Sequence, residues 1–373
     1  MHIVIIGGGF AGVCAARTLA GTHRNIDITL IDKNSSMEFR PLVPDVVSGS
    51  IRAQRLTYPL KKIVADARYT FKLGAVTGIE PQQRRVNLKN DRPRSYDYLI
   101  LATGSQTPVP GFVKKGGDVF SLDTVKDAQR IVRVLDEKRH QHYLVCGAGY
   151  TGIEIATHLQ KALNKRNIDK RVCVIEMQED ILTTMPQWMK EYSRSSLARQ
   201  GVQLRTNTRI ADVDGARVKL SDETELPNAM LIWSTGLVAD LPHIATEPPG
   251  AERKRVTVHD DLHIHERIFA AGDCACREID QHCYRMAVQA ALTGGKCAAQ
   301  NVLATIENKP VQRFEFFDLG YLVPTAGGDS CGIALGRKVS GKTATLLHYA
   351  MSFLRLPGMG NKFLGAWDKL SGL

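Results

Sequence analysis

Two glycine-rich hexapeptides carry the residues best placed to do chemistry: Gly7-Gly8-Gly9-Phe10-Ala11-Gly12 and Gly147-Ala148-Gly149-Tyr150-Thr151-Gly152. Each reads G-x-G-x-x-G, and each is answered downstream by an acid. Asp32 stands 20 positions past Gly12, and Glu176 stands 24 past Gly152. In such a loop the first glycine permits a tight turn, the second lets backbone approach a pyrophosphate, and the third lets a helix pack closely on a strand. The helix N-terminus then offers N–H groups and the positive end of its dipole to the phosphates. The acid can accept hydrogen bonds from a ribose, so each unit reads as a dinucleotide site. Phe10, Ala11 and Lys33 flank these positions and are included in the expected site. An acid at 176 favours a free ribose 2′-hydroxyl, hence NADH over NADPH.

These loops need strands and helices to hold them. Residues 2–6 form a short apolar β-rich run of the kind buried in a parallel sheet, a helix is expected over 13–20, and a second strand over 27–31. The pattern recurs with a strand at 143–146, a helix over 153–162 and a strand at 171–175. Three further strands end in marked turns. Residues 98–101 run into Ala102-Thr103-Gly104, 231–233 into Ser234-Thr235-Gly236, and 268–271 into Gly272-Asp273. Their order suits an α/β fold with two Rossmann-like domains.

At 373 residues, with 43% apolar and 23% charged residues, the chain has room for two or three domains and an ordinary core. Its formal charge of +11 favours anionic partners such as nucleotides or an acidic membrane surface. Aromatic residues are only 6%, with no RNA-binding signature, so nucleic acid is not an expected partner. No apolar stretch reaches membrane-spanning length, and the first residues lack a signal peptide's features. Of eight cysteines, Cys14, Cys146 and Cys173 fall in apolar runs and read as buried small hydrophobes. Cys274 and Cys276 with His282-Cys283 form a cluster whose spacing fits no standard zinc module, so no metal is expected.

In their order these motifs resemble the two-dinucleotide flavoprotein family typified by the disulfide reductases. That likeness implies a glutathione-reductase-like architecture: an FAD domain over 1–112 and 255–312, an NAD(H) domain inserted over 113–254, and a small C-terminal segment over 313–373. It also implies that Asp273 holds the FAD ribityl chain. The redox cysteine pair of disulfide reductases has no counterpart, because Cys14 stands alone. What remains resembles the type II NADH:quinone dehydrogenases. Phe39-Arg40-Pro41-Leu42-Val43-Pro44 is similar to their Phe-x-Pro-Leu-x-Pro segment near the flavin. Gly149-Tyr150-Thr151-Gly152-Ile153-Glu154 is similar to their Gly-Pro-Thr-Gly-Val-Glu, placing Glu154, two residues into the helix, near the nicotinamide. Val288-Gln289-Ala290-Ala291-Leu292-Thr293 matches their quinone-side Ala-Gln-x-Ala-x-Gln at Gln289 and Ala291, with Thr293 in place of the second Gln. A helix starting near 286 would direct its positive end at the flavin pyrimidine ring.

Phe314 to Gly320 opens a small C-terminal segment of β-like and glycine-rich character. Two amphipathic pieces follow, separated by Pro357-Gly358. Leu346, Leu347, Ala350, Phe353 and Leu354 fall at helical spacing in one, and Phe363, Leu364, Trp367 and Leu370 in the other. Such faces suit helices lying in the headgroup region, which would make the chain peripheral on the cytoplasmic side of the cell membrane. A homodimer contact or core packing is the other use of such a pair. The expected activity is NADH oxidation by quinone through FAD, without proton pumping. Two alternatives stand beside it. A sulfide:quinone oxidoreductase would need a cysteine pair, for which Cys146 and Cys331 are the nominees. A redox-sensing flavoprotein resembling apoptosis-inducing factor would turn over poorly.

Overall fold

The computed structural model describes residues 1–22, 25–64, 66, 68–113, 117–245, 255–279, 282–357 and 359–370. Interleaved segments build two compact units. The first comprises Met1–Met37, Tyr58–Gln106 and Val238–Asp318; the second comprises Glu38–Thr57, Thr107–Leu237 and Leu319–Leu373. This partition differs from the sequence boundaries at five places, two of them short: residues 107–112 fall in the second unit and 313–318 in the first. Residues 38–57 and 319–373 belong with the second unit, and 238–254 with the first.

The first unit is built on a six-stranded sheet in the order His263–His265, Ile268–Ala270, Tyr98–Leu101, His2–Ile6, Asp27–Asp32, Tyr69–Leu73. His2–Ile6 lies in the middle, parallel to both neighbours, with Ile3 opposite Ile28 on one side and Tyr98 on the other. Ile3, Val4 and Ile5 are fully buried, as a continuous apolar run must be when both sheet faces are covered. Helix Phe10–Ala20 begins earlier than the sequence reading placed it. Gly9 is its N-cap, and the Gly9 carbonyl already accepts the Val13 N–H at 3.0 Å. Helix Val288–Ile306 packs closely against it because small residues meet at the crossing. A Cβ on Gly295 would lie 2.1 Å from the Ala11 carbonyl oxygen.

The second unit repeats the theme with five strands in the order Asp118–Phe120, Ala229–Trp233, His142–Cys146, Val172–Ile175, Gln203–Arg205, all parallel. Helix Tyr150–Lys165 leaves the second glycine loop and buries eleven residues. The C-terminal residues add a three-stranded antiparallel sheet, Gly320–Val323, Ser330–Ala334 and Arg337–Ser340, followed by helices Gly341–Arg355 and Met359–Leu370. The β-like, glycine-rich segment expected after Phe314 is this sheet, whose first strand starts at Gly320.

The two C-terminal helices fall where the apolar spacing put them, but the first is oriented unexpectedly. Helix Gly341–Arg355 buries Ala344, His348, Tyr349 and Ser352 inward and leaves Leu346 and Leu354 each 72% exposed. Gly358 and the side chains of Phe363, Trp367, Leu370 and His282 lie outside the described residues. Among the described residues no helix is long and apolar enough to cross a membrane. The cysteine reading also needs correction. Cys14, Cys146 and Cys173 are free but only half-buried, and Cys276 is joined to Cys283 in a disulfide.

Candidate active site

In both glycine loops the first residue is left-handed, Gly7 at φ +102° and Gly147 at φ +101°, where an L side chain is strained. A Cβ there would also collide with the following strand end, 2.2 Å from the Ala102 carbonyl oxygen or 2.3 Å from Thr235 Cγ2. At Gly12 and Gly152 a Cβ would come within 1.9 and 2.0 Å of the Gly7 and Gly147 carbonyl oxygens. The middle glycines differ. A Cβ on Gly9 or Gly149 would meet nothing within 4 Å. The outer glycines therefore close each loop, while the middle one faces open space beside a helix whose first-turn N–H groups lack intrahelical acceptors. That is the shape and polarity a pyrophosphate requires.

The two acids occupy equivalent stations. Asp32 Oδ2 accepts the Gly8 N–H at 2.6 Å, and its Oδ1 accepts the Asn34 N–H at 2.6 Å. Glu176 Oε2 accepts the Ala148 N–H at 2.6 Å, and its Oε1 accepts the Gln178 N–H at 2.9 Å. Each carboxylate thus braces its own loop and keeps lone pairs for ribose hydroxyls. Lys33 turns away to pair with Asp240.

The strand-end marks gather at these loops. In the first unit Ala102-Thr103 abuts Gly7, and Gly272, at φ +81°, would place a Cβ 3.1 Å from Ala11 Cβ. Asp273 Oδ2 accepts the Ser105 hydroxyl at 2.7 Å, and the Asp273 carbonyl accepts Arg255 Nε at 3.0 Å. In the second unit Thr235-Gly236 closes over Gly147. Ser105, Arg255 and Gly295 were missed by sequence reading. Only Ser105, one position past Thr103-Gly104, carried a positional signal.

On helix Val288–Ile306, Gln289 and Thr293 lie one turn apart. Gln289 Nε2 donates to the Phe317 carbonyl at 2.9 Å, and the Thr293 hydroxyl donates back to the Gln289 carbonyl at 2.9 Å. Thr293 spends its hydrogen on its own helix and offers only an oxygen outward. Gln289 retains a second N–H, so it is the better donor to a carbonyl oxygen.

Glu154 is the fifth residue of its helix, not a first-turn acid, and is 5% exposed with Oε1 unpartnered. Burial, reinforced by the negative charge of Asp45, holds its carboxyl well above the usual range. Asp45 is fully buried on the short helix Val43–Val47. It accepts Tyr349 OH and Lys369 Nζ, both at 2.9 Å on Oδ1. Burial pushes the Asp45 carboxyl up, but neighbouring His158 and Lys369 outweigh it and hold it below the usual range. His158 and His348 are both driven down to about 4, chiefly by burial, and stay neutral. Cys146 and Cys331 make no pair. Cys331 contacts Ser193 and the Met189 carbonyl, whereas burial pushes the Cys146 thiol up to about 12.

Two glycine cradles, each braced by a carboxylate, define a chain built to hold two dinucleotides. Residues 1–295 match the pyridine nucleotide-disulphide oxidoreductase family, and the chain belongs to it. Over 95% of its length it is 24% identical to the demethylphylloquinone reductase NdbB of Synechocystis, covering 92% of that protein. Over 97% it is 24% identical to the type II NADH:quinone oxidoreductase of Staphylococcus haemolyticus, covering 97% of that protein. In fold it resembles the NDH2 of Plasmodium falciparum solved with NADH, with a TM-score of 0.86 at 16% identity over 99% of this chain and 97% of that one. The sulfide:quinone oxidoreductase of Aquifex aeolicus shares the fold at a TM-score of 0.75 and 18% identity, over 100% and 92%.

Proposed function

We propose that this protein is an FAD-dependent, non-proton-pumping type II NADH:quinone oxidoreductase. The observation that carries the reading is the doubled cradle, with an acid closing each copy, in a chain whose relatives include a demethylphylloquinone reductase and a type II NADH:quinone oxidoreductase. Gly7, Gly9 and Gly12 would take the FAD pyrophosphate, Asp32 its adenosine ribose, and Asp273 its ribityl chain. Thr103, Gly104 and Gly272 supply close backbone around it. Gly147, Gly149 and Gly152 would take NADH, with Glu176 on the 2′-hydroxyl and Thr235-Gly236 closing the loop. When bound, FAD supplies two-electron chemistry that links hydride donation by NADH to reduction of the quinone. Glu154 would lie at the nicotinamide, and Gln289 would donate to a quinone carbonyl, with Thr293 as the neighbouring acceptor.

Quinones reside in lipid, and Leu346 and Leu354 on one C-terminal helix and Leu364, 41% exposed, on the other are outward apolar side chains suited to the headgroup region. The chain is thereby peripheral on the membrane. An anaerobic mixing experiment tests the whole assignment. NADH should bleach the bound flavin's visible absorbance, and a menaquinone or ubiquinone analogue should restore it faster than oxygen does. Bleaching by sulfide but not by NADH would overturn the reading, as would a reduced flavin that no quinone reoxidises.

A further inference from the structure

The cysteine cluster that stood out in the sequence, and that the redox assignment leaves unused, contains a covalent pair in the first unit. Cys276 is joined to Cys283 seven positions on, and the other six cysteines are free. The pair is asymmetric. Cys276 is 4% exposed and lies in strand Ala275–Cys276, with Thr257 of strand Val256–Thr257 opposite it. Its carbonyl accepts the Val258 N–H at 3.0 Å. Cys283 ends the outer arm of a hairpin, opposite Glu278, and is exposed. Neighbouring Cys274 takes no part. It is fully buried, and its thiol donates to the Leu101 and Ala271 carbonyls at 3.5 and 3.4 Å.

A bridge across so short a loop removes little chain entropy compared with one closing a long loop, so it adds least as a staple. The hairpin is also held without it. Arg277, next to Cys276 and 6% exposed, donates Nη1 to the Tyr284 hydroxyl and the Phe314 carbonyl, both at 3.0 Å. Its Nε donates to Asp260 Oδ1 at 2.7 Å. Arg255 donates Nη1 to the Tyr284 carbonyl at 2.7 Å, and the Tyr284 ring stands edge-on to Phe314 and Phe316. Tyr284 follows Cys283 directly, so these contacts hold the outer cysteine beside the inner one whether or not the sulfurs are joined. A pair held in this way can open and close without the chain around it being rebuilt.

We propose that Cys276–Cys283 is a thiol–disulfide exchange site that takes a dithiol, with Cys283 as the sulfur attacked. Access decides the order of events, because the incoming thiolate must reach the sulfur it bonds to. The dithiol's thiolate bonds to Cys283, the Cys283–Cys276 bond breaks, and Cys276 leaves as a thiolate that takes up the proton the dithiol released. The dithiol's second thiolate then attacks its own sulfur in the mixed disulfide. That closes the dithiol's internal disulfide and releases Cys283, which takes up the second proton. Two electrons and two protons pass from the dithiol to the pair, and a small disulfide reverses the steps. The exchange is independent of which dinucleotides the glycine cradles hold.

The test uses the intact native protein without denaturant. Dithiothreitol should open the bridge, and oxidised glutathione should close it again. After opening, peptide masses from iodoacetamide-treated samples should show Cys283 alkylated at least tenfold faster than Cys276. In Cys276→Ser glutathione should stay attached to Cys283, whereas in Cys283→Ser it should join Cys276 at least tenfold more slowly. Thioredoxin with its reductase separates the sources of the dithiol. Opening by thioredoxin assigns a protein dithiol and opening by dithiothreitol alone a small one; either upholds the site. A bridge that opens only in denaturant is a plain crosslink and overturns the proposal, as does equal alkylation of the two sulfurs. Both of those results come from the unsubstituted protein, so they hold even where a serine variant does not fold. Counting thiols is blind to NADH and quinone, so a failed redox assignment would leave the exchange site standing.

Discussion

At the scale of single residues, Glu176 and the Asp45 cluster make the sharpest demands. Glu176 accepts two backbone N–H groups, so its charge is anchored at the strand end to which the proposed function assigns the ribose 2′ position. Glu176→Ala removes that repulsion together with the ribose acceptor. The ratio of kcat/KM for NADH over NADPH should drop at least tenfold, about 1.4 kcal/mol; an unchanged ratio would detach Glu176 from the ribose. Asp45 supports a stability prediction. Its folded pKa lies below its unfolded value, so its contribution is present above the usual carboxylate range and is lost as acid titrates it in the fold. Lys369→Met strips one partner from a buried charge and should cost about 3 kcal/mol, read as an earlier denaturant midpoint at pH 7. His158 and His348 act at higher pH. Their folded pKa values of about 4 lie below the ordinary 6.5, so the unfolded chain binds the extra protons in that window and stability falls as pH drops from 6.5 toward 4. His348→Gln should flatten that fall, measured as the denaturant midpoint against pH.

At the scale of elements, sequence legibility followed the range of the forces involved. The glycine loops, their strands and their acids were readable because a positive φ, a close approach and an apolar run are each local demands. The helices began earlier than apolar periodicity implied, since Phe10 and Tyr150 are helical but sit at the loop edge. Partnerships were less accessible. Asp45 follows directly on the Phe39–Pro44 segment, yet its partners Tyr349 and Lys369 lie 304 and 324 positions away. No spacing rule could join them. The Cys276–Cys283 disulfide was equally hidden, because it depends on a hairpin formed by two-residue strands. Helix Gly341–Arg355 shows a further limit. Its apolar residues were correctly grouped on one side, but its inner face is instead filled by His348, Tyr349 and Ser352 serving the buried polar cluster. Truncation before this helix would therefore also strip Asp45 of Tyr349 and Lys369. Substituting Leu346→Glu and Leu354→Glu is the cleaner probe of the outward face. The double variant should fold with an unchanged melting temperature and lose most of its flotation with anionic vesicles. Undiminished flotation would move membrane contact elsewhere.

At the scale of the whole molecule, each glycine loop and the acid that braces it lie within one unit. Every residue assigned to the NADH cradle, from Gly147 through Glu176 to Thr235 and Gly236, lies within the second unit's Thr107–Leu237 segment. That cradle is braced by contacts of its own. The Gly147 N–H donates to the Ile175 carbonyl at 2.8 Å, and Glu176 Oε2 holds the Ala148 N–H. Nothing in this bracing draws on residues of the FAD cradle. The nucleotide should then bind and stabilise its own unit even when FAD has been stripped away. A ligand present at a hundred times its dissociation constant adds about 2.7 kcal/mol to the stability of the state that binds it. For a unit of this size that corresponds to a rise of about 5–10 °C in Tm. Scanning calorimetry of the FAD-free protein with saturating NADH should show that rise in one transition. Gly152→Val, which forces a side chain against the Gly147 carbonyl, should abolish it. If NADH stabilises only the FAD-loaded protein, the second cradle depends on the first and the two halves form a single cooperative site.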